Sequence, residues 1–249
     1  MSPTPSPFYF SLTSFSEATT PGLPILMYHQ IARPSLRRGN RGLCVSPGLF
    51  QAQIQELAFA GYTSASLDAL PLADSTRRIV LTFDDGFRNV LANALPILGR
   101  HRWQAIQFLV ADRQVNAWDV PPGGKSVPLM SDSEVREWLA AGQQIGAHTL
   151  THPHLTQLSL AQAREEIFSS RKSLEDRFQV PVEHFCYPYG DQNSEIRALV
   201  EAAGYKTACS TIPGLNTAGT DPLRLHRHMA SHRRPAWAAA FRFLPAHWW

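Results

Sequence analysis

The chain has 249 residues, of which 44% are hydrophobic, and it carries a formal net charge of +3. One large domain accounts for this length, because α/β barrels reach about 250 residues as a single unit. The small net charge and the lack of a Lys/Arg block argue against an extended basic groove, so we predict no nucleic-acid partner. The three cysteines are widely spaced and form neither a disulfide framework nor a CxxC metal site.

Residues 1–22 are rich in Ser, Thr and Pro, which predicts a flexible N-terminal lead-in. This stretch lacks the basic, apolar and small-residue regions of a signal peptide. No apolar run in the sequence approaches the roughly 18 residues of a membrane helix. We therefore expect a cytoplasmic protein with no integral membrane segment.

Helical stretches that end in glycine alternate with short β-type runs along the rest of the chain. The predicted helices are 46–61, 89–98, 131–142, 159–178 and 194–204, and the predicted strands are 24–29, 62–66, 78–83, 105–110, 144–148, 184–188 and 205–210. Ser131 with Glu134, and Ser159 with Gln162, have the capping-box pattern. The alternation predicts parallel strands joined by crossover helices, as in a barrel or a doubly wound sheet. In both folds the active-site residues follow the carboxyl ends of the strands.

Two adjacent carboxylates, Asp84 and Asp85, follow the apolar strand 78–83 directly and precede Gly86. Neighbouring carboxylates repel each other unless a cation or a proton separates their roles. A helix N-cap is the alternative interpretation, because Asp is favoured at caps. A cap needs only one of the two residues, so the pair indicates a functional site.

His148 and His152 come at the end of the strand 144–148, four residues apart. This spacing puts both imidazoles on one side of a helical turn, as a metal requires, whereas His154 would face away from His152. A satisfied surface or core histidine is the alternative for either residue. Two histidines and one carboxylate would leave metal positions open for water and substrate, which is typical of catalytic sites. The other carboxylate is then free to act as a general base.

Two further strand ends carry candidate residues. His29 ends the run 24–29, and Tyr187, Pro188 and Tyr189 lie at the end of the strand 184–188. A polar residue that simply ends a strand is the alternative for His29, and a tight turn with packed aromatics is the alternative for the other three. We assign Tyr187 and Pro188 to substrate binding.

The motifs TFDDG, HTLTH and FCYPYG, in this order, resemble those of the polysaccharide deacetylases of carbohydrate esterase family 4, the NodB-homology family. The resemblance implies an α/β fold, an irregular (β/α)7-type barrel. By match to the motifs, it implies that Asp84 is the catalytic base and that Asp85, His148 and His152 bind a divalent metal, usually zinc. It further implies that the backbone N–H of Tyr189 helps to hold the oxyanion. We place this domain at 23–232.

The chain departs from the family pattern in two places. Many members have an Arg-containing third motif where this chain has Cys186 and its neighbours, and many carry a C-terminal Leu-x-His whose His is the general acid. Leu225 and His226 lack that spacing. The sequence is similar, however, to the branch that contains poly-N-acetylglucosamine deacetylases, in which a His of an N-terminal Tyr-His motif supplies the acid. The segment MYHQI (27–31) matches that motif, so we assign the acid to His29, with His226 as second choice.

The resemblance implies a metal-dependent deacetylase that releases acetate from an N-acetylated sugar, with a carbohydrate as its partner. The expected substrate is a polysaccharide, an oligosaccharide or a lipid-linked or precursor glycan. Two alternatives remain. One is an amidase or deformylase acting on a different C–N bond, since fold alone does not fix the substrate. The other is a non-catalytic carbohydrate-binding relative, which would be expected to have lost a ligand or the base.

The C-terminal tail at 233–249 mixes Arg with Trp and Phe. Packing as a short helix on the barrel is the favoured interpretation, and weak association with a membrane surface is the alternative. Upstream of the tail, His226, His228 and His232 could in principle form a second metal site, but we interpret them as structural. The sequence gives no role for Cys186.

Overall fold

The computed structural model describes residues 22–33, 41–70, 77–120 and 124–230. The predicted lead-in, apart from Gly22, and the whole predicted tail at 233–249 lie outside these ranges. The α-helices within them are α1 (Pro47–Phe59), α2 (Arg88–Asn93), α3 (Leu95–His101), α4 (Asp132–Ala140), α5 (Leu160–Phe178) and α6 (Ser194–Ala202). The strands are β1 (Ile25–Tyr28), β2 (Gln30–Ile31), β3 (Cys44–Val45), β4 (Thr63–Ser64), β5 (Arg78–Phe83), β6 (Ile106–Leu109), β7 (Val115–Asn116), β8 (Val127–Pro128), β9 (Gln144–Ala147), β10 (His184–Cys186), β11 (Thr207–Cys209) and β12 (His228–Met229).

The main sheet is parallel throughout and curls toward closure. Its strands lie in the order β11-β10-β9-β6-β5-β1-β12, with β4 paired to β5. At one edge Leu225 pairs with Cys209 of β11, and a few residues later His228 of β12 pairs with Leu26 of β1. The segment 225–229 therefore joins the two edges of the sheet. The predicted irregular (β/α)7-type barrel is confirmed.

The strands are buried on both faces, as their continuous apolar runs predict. Side chains alternate between the two faces of a strand, and β5 shows the result. Val80 packs in a cluster made of strand and loop residues inside the barrel. Ile79 and Leu81 belong to the larger cluster that lies between the strands and the helices. The interior cluster is apolar, so polar groups placed there need partners.

The predicted helix caps are present. The side chains of Ser131 and Ser159 each accept a hydrogen bond from the backbone N–H three residues on, and both capping boxes are complete. At the first helix Ser46 accepts from the N–H of Leu49. No helix in the described ranges is long and apolar enough to cross a membrane.

The single helix predicted over 89–98 is wrong, because the chain forms α2 and α3 with a break at Ala94. Pro96 stands in the first turn of α3. Proline has no N–H to donate to the preceding turn, so it is tolerated at a helix start and interrupts a continuous helix. The short pairs β2–β3 and β7–β8 were also not predicted.

Candidate active site

The carboxyl ends of neighbouring strands bring the predicted residues together. Asp84 and Asp85 follow β5, His29 follows the adjacent β1, and His148 follows β9. The carboxylates and His148 and His152 are all buried. Parallel strands end on the same side of the sheet, so one pocket collects residues that are far apart in sequence.

Asp85, His148 and His152 form a compact trio. The Oδ1 atom of Asp85 lies 3.5 Å from Nε2 of His148 and 3.3 Å from Nε2 of His152. In a tetrahedral site with metal–ligand bonds of about 2.0–2.1 Å, ligand atoms are roughly 3.3 Å apart. The spacing of the trio therefore fits a single divalent ion.

Hydrogen bonding around the trio supports the same conclusion. Nδ1 of His148 lies 2.7 Å from the carbonyl oxygen of Cys186. It donates to that oxygen, which leaves the lone pair of Nε2 facing Asp85. Oδ1 of Asp85 is buried and has no hydrogen-bond partner among the described residues. A buried carboxylate oxygen that faces imidazole lone pairs is satisfied by a cation.

The protonation states of Asp85 and His152 are the ones that bind a metal. Burial would raise the pKa of Asp85, but in the metal-free site a proton on Nε2 of His148 or His152 would hydrogen-bond to it, which outweighs burial and holds the pKa far below its usual value. Burial lowers the pKa of His152, and Asp85 offsets only part of the effect. An ionised carboxylate and a neutral imidazole are the forms that bind a metal.

The helical turn predicted for His148 and His152 is wrong. The backbone from 148 to 152 is an irregular bend, in which Thr149 and His152 have φ angles of 65° and 67°. Their rings still converge, with centroids 4.8 Å apart. The two imidazoles converge as the spacing predicts, but the backbone that brings them together is not helical.

Asp84 has a partner that sequence reasoning missed. Both Nη atoms of Arg227 donate to its carboxylate, at 2.7 and 2.8 Å. Burial would raise the pKa of Asp84, but the charge and hydrogen bonds of Arg227 outweigh it and keep the pKa below its usual range. Two adjacent buried carboxylates need two cationic partners. From the sequence alone we assigned a metal to Asp85 and no cation to Asp84, and that gap could have pointed to a buried arginine.

Cys186 lies against this ion pair. Its Sγ is 3.0 Å from Nη2 of Arg227 and 3.6 Å from Oδ2 of Asp84. The side chain is fully buried, and burial raises the pKa of the thiol well above its usual value. Cys186 is therefore a neutral thiol that packs beside the carboxylate of Asp84.

The two candidates for the general acid lie at opposite ends of the strands. Nε2 of His29 is 3.9 Å from Oδ2 of Asp84. The backbone N–H of His226 donates instead to the side chain of Asn216. Asn216 pairs with Leu23, which precedes β1, so His226 lies at the amino end of the strands. Only His29 is close to the carboxylates among these two.

The turn after β10 holds the remaining predicted residues. Tyr189 has a φ of 59° and is 43% exposed, and its ring packs edge-on against His152. Two backbone hydrogen bonds close the turn: the N–H of Gly190 donates to the carbonyl of Tyr187, and the N–H of Asp191 donates to the carbonyl of Pro188. The N–H of Tyr189 is not used in either bond. Tyr187 and Pro188 are buried, and the Tyr187 hydroxyl donates to the carbonyl of Leu223. Substrate contact by Tyr187 and Pro188 stays a prediction.

A second aromatic residue at the site was not predicted. Trp118, between β7 and β8, stacks on His152 with ring centroids 4.4 Å apart and planes 15° from parallel. It belongs to no motif, and its position depends on a hairpin that periodicity did not reveal. Trp118 and Tyr189 together fix the ring of His152 from two directions.

A parallel barrel whose strand ends gather two carboxylates and three histidines, with three of these side chains at metal-ligand spacing, is typical of hydrolases that bind a divalent metal. Comparison with known proteins gives the particular family. The polysaccharide deacetylase family model matches residues 73–208. The chain belongs to the polysaccharide deacetylase family.

Individual relatives agree with this assignment. YxkH of Bacillus subtilis, named as a polysaccharide deacetylase, is 28% identical over 214 residues, which cover 82% of this chain and 70% of YxkH. The peptidoglycan-N-acetylglucosamine deacetylase PgdA of Listeria monocytogenes is 29% identical over 135 residues, which cover 54% of this chain but only 26% of PgdA. The crystal structure of a polysaccharide deacetylase from Bacillus cereus superimposes with a TM-score of 0.76 at 26% identity, covering 89% of this chain and 69% of that one.

Proposed function

We propose that the chain is a metal-dependent deacetylase that hydrolyses the acetamide of an N-acetylated sugar to acetate and a free amine. The observation that carries the proposal is the separation of the two adjacent carboxylates. Asp85 faces His148 and His152, whereas Asp84 is held by Arg227. One carboxylate is thus placed to bind a metal and the other to move a proton.

A divalent ion held by Asp85, His148 and His152, which we assign as zinc, would polarise the acetamide carbonyl and lower the pKa of water. Asp84, kept ionised by Arg227, accepts the proton of the attacking water. The N–H of Tyr189 donates to the developing oxyanion. His29, in its protonated form, donates to the departing sugar nitrogen, because without a proton the nitrogen would have to leave as a strongly basic amide anion.

The choice of substrate rests on the names of relatives. PgdA is named for N-acetylglucosamine in peptidoglycan, and a relative from Bradyrhizobium, 26% identical over 131 residues, is named for chitooligosaccharides. Both substrates carry an acetamide on a pyranose ring. We therefore assign an N-acetylated glycan to this site, without fixing its linkage.

Acetate release from N-acetylated oligosaccharides, measured together with the metal content of the same sample, tests the proposal. Asp84→Asn should lower turnover by roughly 10²–10⁴-fold, the usual contribution of a general base, while its metal content stays unchanged. Asp85→Asn should lose the metal. Asp68→Asn is a matched control, because Asp68 is bonded to the first residues of β9 and β10 at the other end of the strands. Full activity of Asp84→Asn, or no acetate from any N-acetylated glycan with metal bound, would contradict the proposal.

A further inference from the structure

The bend that carries His148 and His152 is held in a costly backbone conformation. Thr149 and His152 both have positive φ, which is uncommon outside glycine and a true outlier for a β-branched residue. Such conformations are unfavourable and persist only when surrounding contacts over-determine them. The contacts that hold this bend therefore decide where the two imidazoles lie.

One side chain outside the bend, that of Glu166, accepts three hydrogen bonds from it. Oε2 of Glu166, on α5, accepts hydrogen bonds of 2.9 Å from the N–H groups of both Leu150 and Thr151. Its Oε1 accepts a third from the hydroxyl of Thr151, at 2.6 Å. Hydrogen bonds to an ionised carboxylate are roughly twice as strong as neutral ones. Glu166 therefore anchors the middle of the bend to a long helix.

Thr149, next to the residues that Glu166 holds, is hydrogen-bonded to both histidines. Its buried hydroxyl donates to the carbonyl of His148 at 2.6 Å and accepts from the N–H of His152 at 2.9 Å. Glu166 fixes residues 150 and 151, and the hydroxyl of Thr149 fixes the two ends relative to each other. Backbone hydrogen bonds also join His148 to Leu109, and the carbonyls of Thr149 and Leu150 to the N–H groups of Ala111 and Asp112. Glu166 is the side chain that holds the N–H groups in the middle of the bend.

We propose that Glu166 is a positioning residue that presets the distance between the Nε2 atoms of His148 and His152 for a divalent metal. The proposal rests on the metal-dependent function proposed above. Without the carboxylate, Leu150 and Thr151 lose their acceptor and the bend can relax to right-handed backbone. The imidazoles then no longer converge on Asp85, and metal affinity falls although the barrel remains folded.

The experiment compares Glu166→Ala with Glu166→Gln in the full-length chain, using Zn²⁺ and a competing chelator to measure affinity. Loss of a residue that orients metal ligands typically weakens affinity by about 10–100-fold, and we expect this of Glu166→Ala. Glu166→Gln keeps an oxygen that can accept from Leu150 and Thr151, so it should recover most of the affinity. Amide hydrogen exchange at these two residues should be faster in Glu166→Ala than in the wild type.

Glu175→Ala is the matched control. Glu175 is also on α5, and its Oε1 accepts from the N–H of Val182 and from Arg171, both at 3.0 Å. It ties a different loop to the same helix, so its removal should lower stability toward urea and leave Zn²⁺ affinity unchanged.

Three outcomes would overturn the positioning role: wild-type affinity in Glu166→Ala, an equal loss of affinity in Glu175→Ala, or a wild-type chain that does not bind Zn²⁺. A wild-type chain that binds Zn²⁺ through His148 but releases no acetate would contradict the deacetylase function alone, and the affinity comparison would still decide the role of Glu166.

Discussion

The guanidinium of Arg227 meets the carboxylate of Asp84 through two parallel hydrogen bonds inside the barrel, although the two residues are 143 positions apart. Asp84 follows β5, whereas Arg227 comes immediately before β12. The segment that closes the barrel therefore also supplies the cation for the proposed base. The same segment thus closes the sheet and places a cation beside Asp84.

Replacing Arg227 should change both the pH dependence of activity and the stability. In Arg227→Met the carboxylate of Asp84 loses its cation, so its pKa rises and the acidic limb of kcat/KM moves to higher pH. Breaking a buried ion pair typically costs about 3–5 kcal/mol. Arg227→Lys keeps the charge but loses the bidentate geometry, so its shift should be smaller. The measurements are a pH–rate profile and urea unfolding.

Arg224→Met serves as the control for Arg227, because Arg224 is exposed in the same segment and its loss should leave both quantities close to wild type. If Arg227→Lys and Arg227→Met have the acidic limb of the wild type, Arg227 does not set the pKa of Asp84.

His29→Gln should lower turnover on acetamides by roughly 10²–10⁴-fold, because glutamine cannot donate a proton to the leaving amine. Hydrolysis of an activated ester such as 4-nitrophenyl acetate should be affected much less, because a phenolate leaves without protonation. The ratio of the two rates, measured for wild type and variant, isolates the role of the acid. The same measurements on His226→Gln test the second candidate. A selective loss on acetamides in His226→Gln, with His29→Gln unaffected, would transfer the acid role to His226.

The longer strands of the main sheet, and the convergence of Asp85, His148 and His152 at their ends, could be predicted from sequence because their signals are local. The apolar run of β5 and the two carboxylates that follow it, Asp84 and Asp85, predict a buried strand with a polar end, and this prediction needs no knowledge of the strands that pair with β5. Arg227 could not be found in this way, since its partner is set by barrel closure. The bend at 148–152 was predicted as a helical turn, because the spacing of two histidines does not encode the positive φ angles that Glu166 stabilises from another helix.

The thiols should be unreactive in the folded protein. Cys44, Cys186 and Cys209 are all buried, and burial raises the pKa of Cys186 and takes that of Cys209 to about 12. A disulfide reagent such as DTNB should titrate three thiols in urea and react far more slowly under native conditions, without loss of activity. Rapid native labelling with inactivation would show that the thiol beside Asp84 is accessible.

Cys186→Ala should retain most of the activity, because a neutral thiol 3.6 Å from Asp84 contributes only a weak hydrogen bond. Its cost should appear in stability, at roughly 0.5–3 kcal/mol. A loss of activity as large as that of Asp84→Asn would instead make the thiol part of the proton-transfer machinery.

Stability should fall in mild acid because of His184, at the opposite end of the barrel from Asp85, His148 and His152. His184 is buried, with Nε2 2.9 Å from Asp68 and Nδ1 2.9 Å from the hydroxyl of Thr207. Burial lowers the pKa of His184, and the carboxylate of Asp68 offsets only part of this. Below the usual pKa of about 6.5, the unfolded chain therefore binds a proton that the folded chain does not yet bind. The stability present above that pH is lost as the pH falls toward the lowered folded value, by at most about 1.4 kcal/mol per pH unit for one group.

Urea unfolding of metal-free protein at several pH values between 7.5 and 5 measures this slope. Because burial also lowers the pKa of His152 and His228, the informative quantity is the difference between wild type and His184→Gln, whose slope should be shallower. Asp68→Asn removes the charge that partly supports the protonated form, so the pKa of His184 should fall further and the loss of stability should continue to lower pH. Parallel curves for the wild type and His184→Gln would mean that His184 titrates alike in the folded and unfolded chains, and its contact with Asp68 would then make no pH-dependent contribution.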